Sequence, residues 1–111
     1  FPIWELLLSL QLDRLRIISK RTLKEFWTKH PMAEHSLRAW YREASQAYWK
    51  SPVDVRSLYP LASVLQSGRI VFNIQGNRYR LIVKINYDFG IVWIRFVGTH
   101  ADYDKIDANT I

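Results

Sequence analysis

The sequence predicts an α+β domain: two helices packed on one face of a small, mostly antiparallel β-sheet, with a short helix at the C-terminal end. Three observations predict it. Residues 19–48 carry two apolar stripes at helical spacing. Between Gly68 and Phe96, three runs rich in β-branched and aromatic residues alternate apolar with cationic side chains and are joined by Gly-containing turns. A Thr99-His100 dipeptide then opens a short acidic segment.

The elements follow in order. Leu15–Ile18 (LRII) is a short β-prone run. Ser19 stands where a helix N-cap should, and Leu23, Phe26 and Trp27 follow at helical spacing. His30-Pro31 ends that helix, because the residue before proline is pushed out of the α region. A second stripe, Leu37, Trp40, Tyr41, Ala44 and Tyr48, has Arg38, Arg42 and Glu43 on its other side, and Ser51-Pro52 is expected to stop it. Phe26, Trp27, Trp40 and Tyr41 are assigned to the core. Residues 53–61 read as a short helix or irregular crossover, Ala62–Leu65 as a short strand, and Gln66-Ser67-Gly68 as a turn.

Period-two alternation sorts the strand residues between two faces. Ile70, Phe72, Tyr79, Leu81, Val83, Ile85, Val92, Ile94 and Phe96 fall on an apolar back. Arg69, Asn73, Arg78, Arg80, Lys84 and Arg95 fall on a cationic front. With Gln75-Gly76 as a two-residue loop, Phe72 faces Tyr79 and Val71 faces Arg80. Around Asp88-Phe89, Val83 faces Ile94 and Lys84 faces Trp93, where the ammonium is expected to lie over the indole.

Composition limits the function classes. The chain is one domain, large enough for a single core. It has no Cys, which excludes disulfides and thiolate metal sites. Residues 14–87 hold 14 Lys/Arg against 4 Asp/Glu, whereas the last 24 residues hold 2 against 4. Such a distribution favours a polyphosphate or an acidic protein as partner. No apolar run is long enough to cross a bilayer. Residues 1–13 (FPIWELLLSLQLD) contain no Lys or Arg and lack the basic start and small-residue cleavage site of a signal peptide. They are set apart as an extension, with the domain proper over 14–111.

From about Leu15 onward, RIISKRTLKEFWTKHP, LRAWYREA, VFNIQGNRYRLIVKINY and IRFVGTHADYDKID together resemble the HigB family of toxins from bacterial toxin–antitoxin systems, within the RelE-like superfamily of mRNA interferases. The resemblance covers nearly the whole domain. It implies a RelE-like fold and metal-independent, cofactor-free cleavage of mRNA, usually on the translating ribosome in the cytoplasm. It also implies neutralisation by a HigA-type antitoxin with a helix-turn-helix domain, through which alone operator DNA would be bound. Residues 1–13 lie outside the pattern.

The chemistry of RNA gives a separate reason to look for a nuclease. The 2′-hydroxyl beside each phosphate is a built-in nucleophile. An enzyme need only align it, move its proton, stabilise charge on phosphorus and protonate the leaving 5′-oxygen. Arg80 and Arg95 are the candidate phosphate clamps, since the guanidinium fork binds two oxygens. His100 is the candidate acid or base, as the side-chain type that ordinarily titrates near neutrality. Thr99-His100-Ala101-Asp102 also matches a capping box, which would give His100 a purely structural role. Tyr103, three residues on, would bond the phosphate, stack on a base or pack on the sheet. Lys84 is a candidate for charge stabilisation or proton donation. Arg69, Arg78, Arg95 and Trp93 are candidate RNA contacts, and Trp93 would alternatively pack under an antitoxin. Asp102, Asp104 and Asp107 do not converge as metal ligands and are better used as charge partners. Asn73, Gly76 and Asn77 are assigned to the turn. From another class stands a catalytically inactive binder that acts only with its antitoxin.

Overall fold

The computed structural model describes residues 15–111; the extension over residues 1–13 and Arg14, where the domain is expected to begin, lie outside the described residues. Its centre is a five-stranded sheet in the order β1-β5-β4-β3-β2. β1 (Arg16–Ile18) runs parallel to β5 (Ile91–Thr99) at one edge. β2 (Ser63–Val64), β3 (Arg69–Ile74), β4 (Tyr79–Asn86) and β5 are antiparallel neighbours. α1 (Lys20–Lys29), α2 (Glu34–Ser45) and α3 (Pro52–Leu58) precede the main strands, and α4 (His100–Tyr103) follows them. Among the described residues no helix is long and apolar enough to cross a membrane.

The helices form where the stripes predict. Leu23 and Trp27 of α1 and Leu37, Trp40 and Ala44 of α2 are buried against Ile70, Phe72, Leu81, Val83 and Val92 on the back of the sheet. Ser19 occupies the N-cap of α1 in an extended conformation, but its side chain makes no capping hydrogen bond. α1 ends at His30, and a 3-10 turn over Pro31–Ala33 leads into α2. α2 stops at Ser45, short of the expected Ser51-Pro52, so Tyr48 leaves the stripe and is exposed. Ser51 and Pro52 instead open α3: a proline at the first helical position gives up an N–H that has no partner there anyway.

α3 is tied to α2 by the Tyr59 hydroxyl, which donates to the Glu43 carboxylate. Burial above all, then the hydrogen bond and negative charge of Glu43, push the Tyr59 phenol well above its ordinary pKa. The unfolded chain therefore ionises this phenol before the folded chain does. Its contribution is complete below about pH 10 and is lost as pH climbs further. Tyr59→Phe should make the alkaline decline in stability shallower, as read by urea midpoints across that range; an unchanged decline would place its origin elsewhere.

The strand registers correct two expectations. In the first hairpin Phe72 pairs with Leu81, Asn73 with Arg80 and Ile74 with Tyr79, two residues from the expected register. The loop has four residues, 75–78, not two, and both Gln75 (φ 51°) and Gly76 (φ 64°) take the left-handed conformation to make it. An even slip leaves every side chain on its predicted face. In the second hairpin Val83 pairs with Ile94 and Lys84 with Trp93, as expected. Beyond that pair β5 is bulged: Ile82 pairs with Phe96, so Arg95 is an extra residue with no partner. The odd insertion inverts the phase of the strand. Val97 turns to the main core, and Phe96, expected on the back, lies on the front.

The front is therefore not uniformly cationic. Val71, Ile82 and Phe96 form an apolar strip, and Tyr103, Ile106, Ala108 and Ile111 of the chain's last segment pack across it. This strap divides the front into two ends, one at the β3–β4 loop and α4, the other at the β4–β5 turn.

Candidate active site

At the first end, Arg80 is the one buried charged side chain among the described residues, at 9% exposure. Its Nη1 donates to the carbonyls of Asn77 (3.1 Å) and Tyr79 (3.3 Å), and its Nη2 donates to Asn77 Oδ1. The guanidinium carbon lies 5.7 Å from the centre of the Tyr103 ring, within cation–π range. The four-residue loop makes this clamp possible. Its two left-handed residues turn the chain so that Asn77, still in the loop, meets the Arg80 side chain at the start of β4. Sequence reasoning gave Asn77 to the turn; it also holds Arg80, and the available signal was its spacing three residues ahead of the arginine.

Across the sheet from Arg80 stands Gly98. A Cβ built there would come 2.5 Å from the Phe96 ring and 3.3 Å from Asp102 Cβ. Glycine is required because the ring and α4 both close over this position. One residue on, the Thr99 hydroxyl caps α4 by accepting from the Asp102 N–H at 3.1 Å. The N-cap bond of that motif forms, and the His100 side chain takes no part in it.

The His100 backbone N–H donates to the Arg78 carbonyl at 3.2 Å, fixing the start of α4 to the loop that holds Arg80. Its ring is half exposed, with Nδ1 3.1 Å from Asp104 Oδ2. A carboxylate in that position favours a proton on Nδ1 and leaves Nε2 to exchange protons with a ligand. Asp104 was visible in the sequence as the residue four after His100, the spacing that brings helical side chains together.

The other candidates are placed differently. Arg78 lies in the loop rather than on the strand front, and reaches Met32 Sδ at 3.3 Å on the helix side. Arg69 donates to the Ile111 main-chain oxygen at 2.9 Å, and the exposed bulge residue Arg95 approaches the same oxygen at 3.4 Å. Lys84 and Trp93 line a hollow at the second end of the front. Lys84 is four residues from Arg80 along β4, about 13 Å at strand rise. It faces Trp93 without lying over the indole: among the described residues the cation–ring contacts are Lys20–Tyr41, Arg38–Trp27 and Arg80–Tyr103. The structure thus brings Arg80, Tyr103 and His100 to one end and leaves Lys84 and Trp93 at the other.

Helices on one face of an open, mostly antiparallel sheet, with a short helix after the last strand, are consistent with the RelE-like fold class. The family model for HigB toxins, described as the RelE-like toxic component of a toxin–antitoxin system, matches residues 33–106. The chain belongs to this HigB toxin family. It is 26% identical over 96 residues to the mRNA interferase toxin HigB of Escherichia coli strain K12, covering 85% of this chain and 92% of that protein. The mRNA interferase HigB of Shigella flexneri matches to the same extent. That of Escherichia coli O6:H1 is 27% identical over 94 residues, covering 83% of this chain and 91% of the relative.

Proposed function

We propose that this chain is an endoribonuclease that cuts mRNA on the translating ribosome, using the RNA's own 2′-hydroxyl. The observation that carries the reading is the held guanidinium of Arg80, one strand away from a His100–Asp104 pair. The 2′-oxygen bonds to phosphorus as the bond to the 5′-oxygen breaks. One proton leaves the 2′-hydroxyl and one reaches the departing oxygen, giving a 2′,3′-cyclic phosphate and a 5′-hydroxyl. His100 Nε2 handles one of these protons, with Asp104 fixing the ring. Arg80 stabilises the charge that builds on the phosphoryl oxygens, and being held already it needs no rearrangement to do so. Tyr103, whose ring lies beside the Arg80 guanidinium, is placed to bond the phosphate or stack on a base. Trp93 serves to hold RNA.

Membership of a toxin–antitoxin family and the mRNA interferase names of the relatives support this activity. Membership of the family supports an antitoxin partner as well; the further reading is that this antitoxin is of HigA type with a helix-turn-helix domain, that operator DNA is reached through it, and that the setting is the cytoplasm. The test is cleavage of RNA with and without ribosomes, with the new ends characterised. Cyclic phosphate ends are expected, and His100→Ala should slow their formation by roughly 10²–10⁴-fold. Ends bearing a 3′-hydroxyl, or wild-type rates in His100→Ala, would remove the mechanism. A folded wild type that binds RNA or antitoxin and never cuts would be the inactive binder.

A further inference from the structure

The hollow at the second end of the front has a volume of about 600 Å³ and is walled by Lys50, Ser67, Gly68, Lys84, Asn86 and Trp93, among others. That size lies within the range of small-molecule sites, roughly 300–1,000 Å³. Two lysines reach it from separate parts of the chain, one from the segment after α2 and one from β4. Among the described residues neither takes part in a salt bridge. Asp88 is the acid on its rim.

Its walls are fixed. The Gly68 carbonyl accepts from the Ile85 N–H at 2.9 Å, and a Cβ at Gly68 would meet the Ile85 oxygen at 2.9 Å. With φ at 74°, that turn is built for glycine and is pressed against β4. Tyr87, also in the wall, packs against the main core. Trp93 is half-buried, so part of its indole remains open to the hollow. An indole with two unpaired ammonium groups beside it suits one ligand chemistry in particular: a nucleobase to stack and the flanking phosphates of a single strand. An isolated phosphate would not use the indole, and an apolar ligand would not use the lysines.

We infer that the Lys50–Lys84–Trp93 hollow is a second nucleotide subsite, which grips single-stranded RNA away from the scissile phosphate and across the strap of residues 103–111. The inference rests on the reading of the chain as an RNA-cutting enzyme, and it moves Lys84 from chemistry to grip. RNA held at both ends of the front would cross the strap beside Arg95.

The probe is a labelled 2′-O-methyl octanucleotide, which cannot be cut because its nucleophile is blocked. Its affinity for the full chain is followed by fluorescence anisotropy over a range of salt. Trp93→Ala should weaken binding roughly tenfold. In Lys50→Ala/Lys84→Ala, a surface pair whose loss leaves the core intact, affinity should fall and the salt slope should shrink by about 0.7 for each lysine. Wild-type affinity and slope in the folded lysine variant would overturn the subsite. Binding and cleavage are read apart: binding lost in the variants while wild type cuts no RNA would keep the subsite and remove the nuclease reading. Cleavage by wild type with binding unchanged in the variants would do the reverse.

Discussion

Arg80→Ala should cut RNA roughly 10²–10³-fold more slowly than wild type, the scale of losing one preorganised charge stabiliser. Arg80→Lys should fare little better. An ammonium keeps the charge but has no fork, so it cannot bond Asn77 with one nitrogen and offer another to phosphate. The sharper test is Asn77→Ala, which leaves the guanidinium in place and removes its Oδ1 anchor. Asn77 is a positioning residue, so its loss should lower kcat, by up to roughly 10²-fold through misplacement, with little change in RNA affinity. A purely structural role would lower stability and leave kcat alone. Single-turnover cleavage at saturating RNA, run beside urea unfolding, separates these outcomes. Stability should also fall in Arg80→Ala, by about 1–3 kcal/mol, because Asn77 Oδ1 and two carbonyls lose a buried donor. Wild-type cleavage by folded Arg80→Ala would end the assignment.

Phe72→Ala should have the largest effect on stability, about 3–5 kcal/mol for truncating a buried aromatic. The side chain is 1% exposed and is the joint between layers. Trp40 of α2 meets it edge-on at 5.4 Å, Tyr59 edge-on at 5.1 Å, and Trp49 stacks on it at 6.2 Å. Three rings from three parts of the helical layer therefore rest on one strand residue. They cannot all collapse into the space left behind, which keeps the cost at the upper end. Against a total stability of about 5–15 kcal/mol for a domain, much of the folded margin would go. The urea midpoint should drop sharply with little change in slope; a loss below about 1 kcal/mol would mean the rings close the gap.

How far the sequence could be read depended on whether a feature was local. The apolar stripes around Trp27 and Trp40, the alternation from Arg69 to Phe96 and the Thr99 cap all announce themselves within a few residues, and each element formed there. Ser51-Pro52 was ambiguous because the same dipeptide can close one helix or open the next. The first hairpin hid its true loop because a two-residue slip keeps all faces in place, so the pattern fitted both registers. Nothing beside Arg95 marks a bulge: neither neighbour is glycine or proline, and apolar residues continue on both sides. The burial of Arg80 was illegible for another reason. It depends on Asn77 curling back and on Tyr103 arriving from the end of the chain, and no window of sequence contains both. The pairing of His100 with Asp104, by contrast, was within reach of a simple count.

The bulge at Arg95 has a wider meaning for how such a surface is made. To the backbone β5 is one strand; to the side chains it is two half-strands of opposite parity, joined at a dislocation one residue wide. The half that carries Trp93 keeps time with Lys84, while the half that leads to Gly98 and His100 keeps time with Arg80. Were the strand to run on without the bulge, Arg95 would pair with Ile82, Phe96 would turn into the main core and Val97 would take the place of Gly98 opposite the arginine. A flexible connector would have let the two halves drift. An inserted residue sets their offset rigidly, and lets residues on either side change without disturbing the phase of the other.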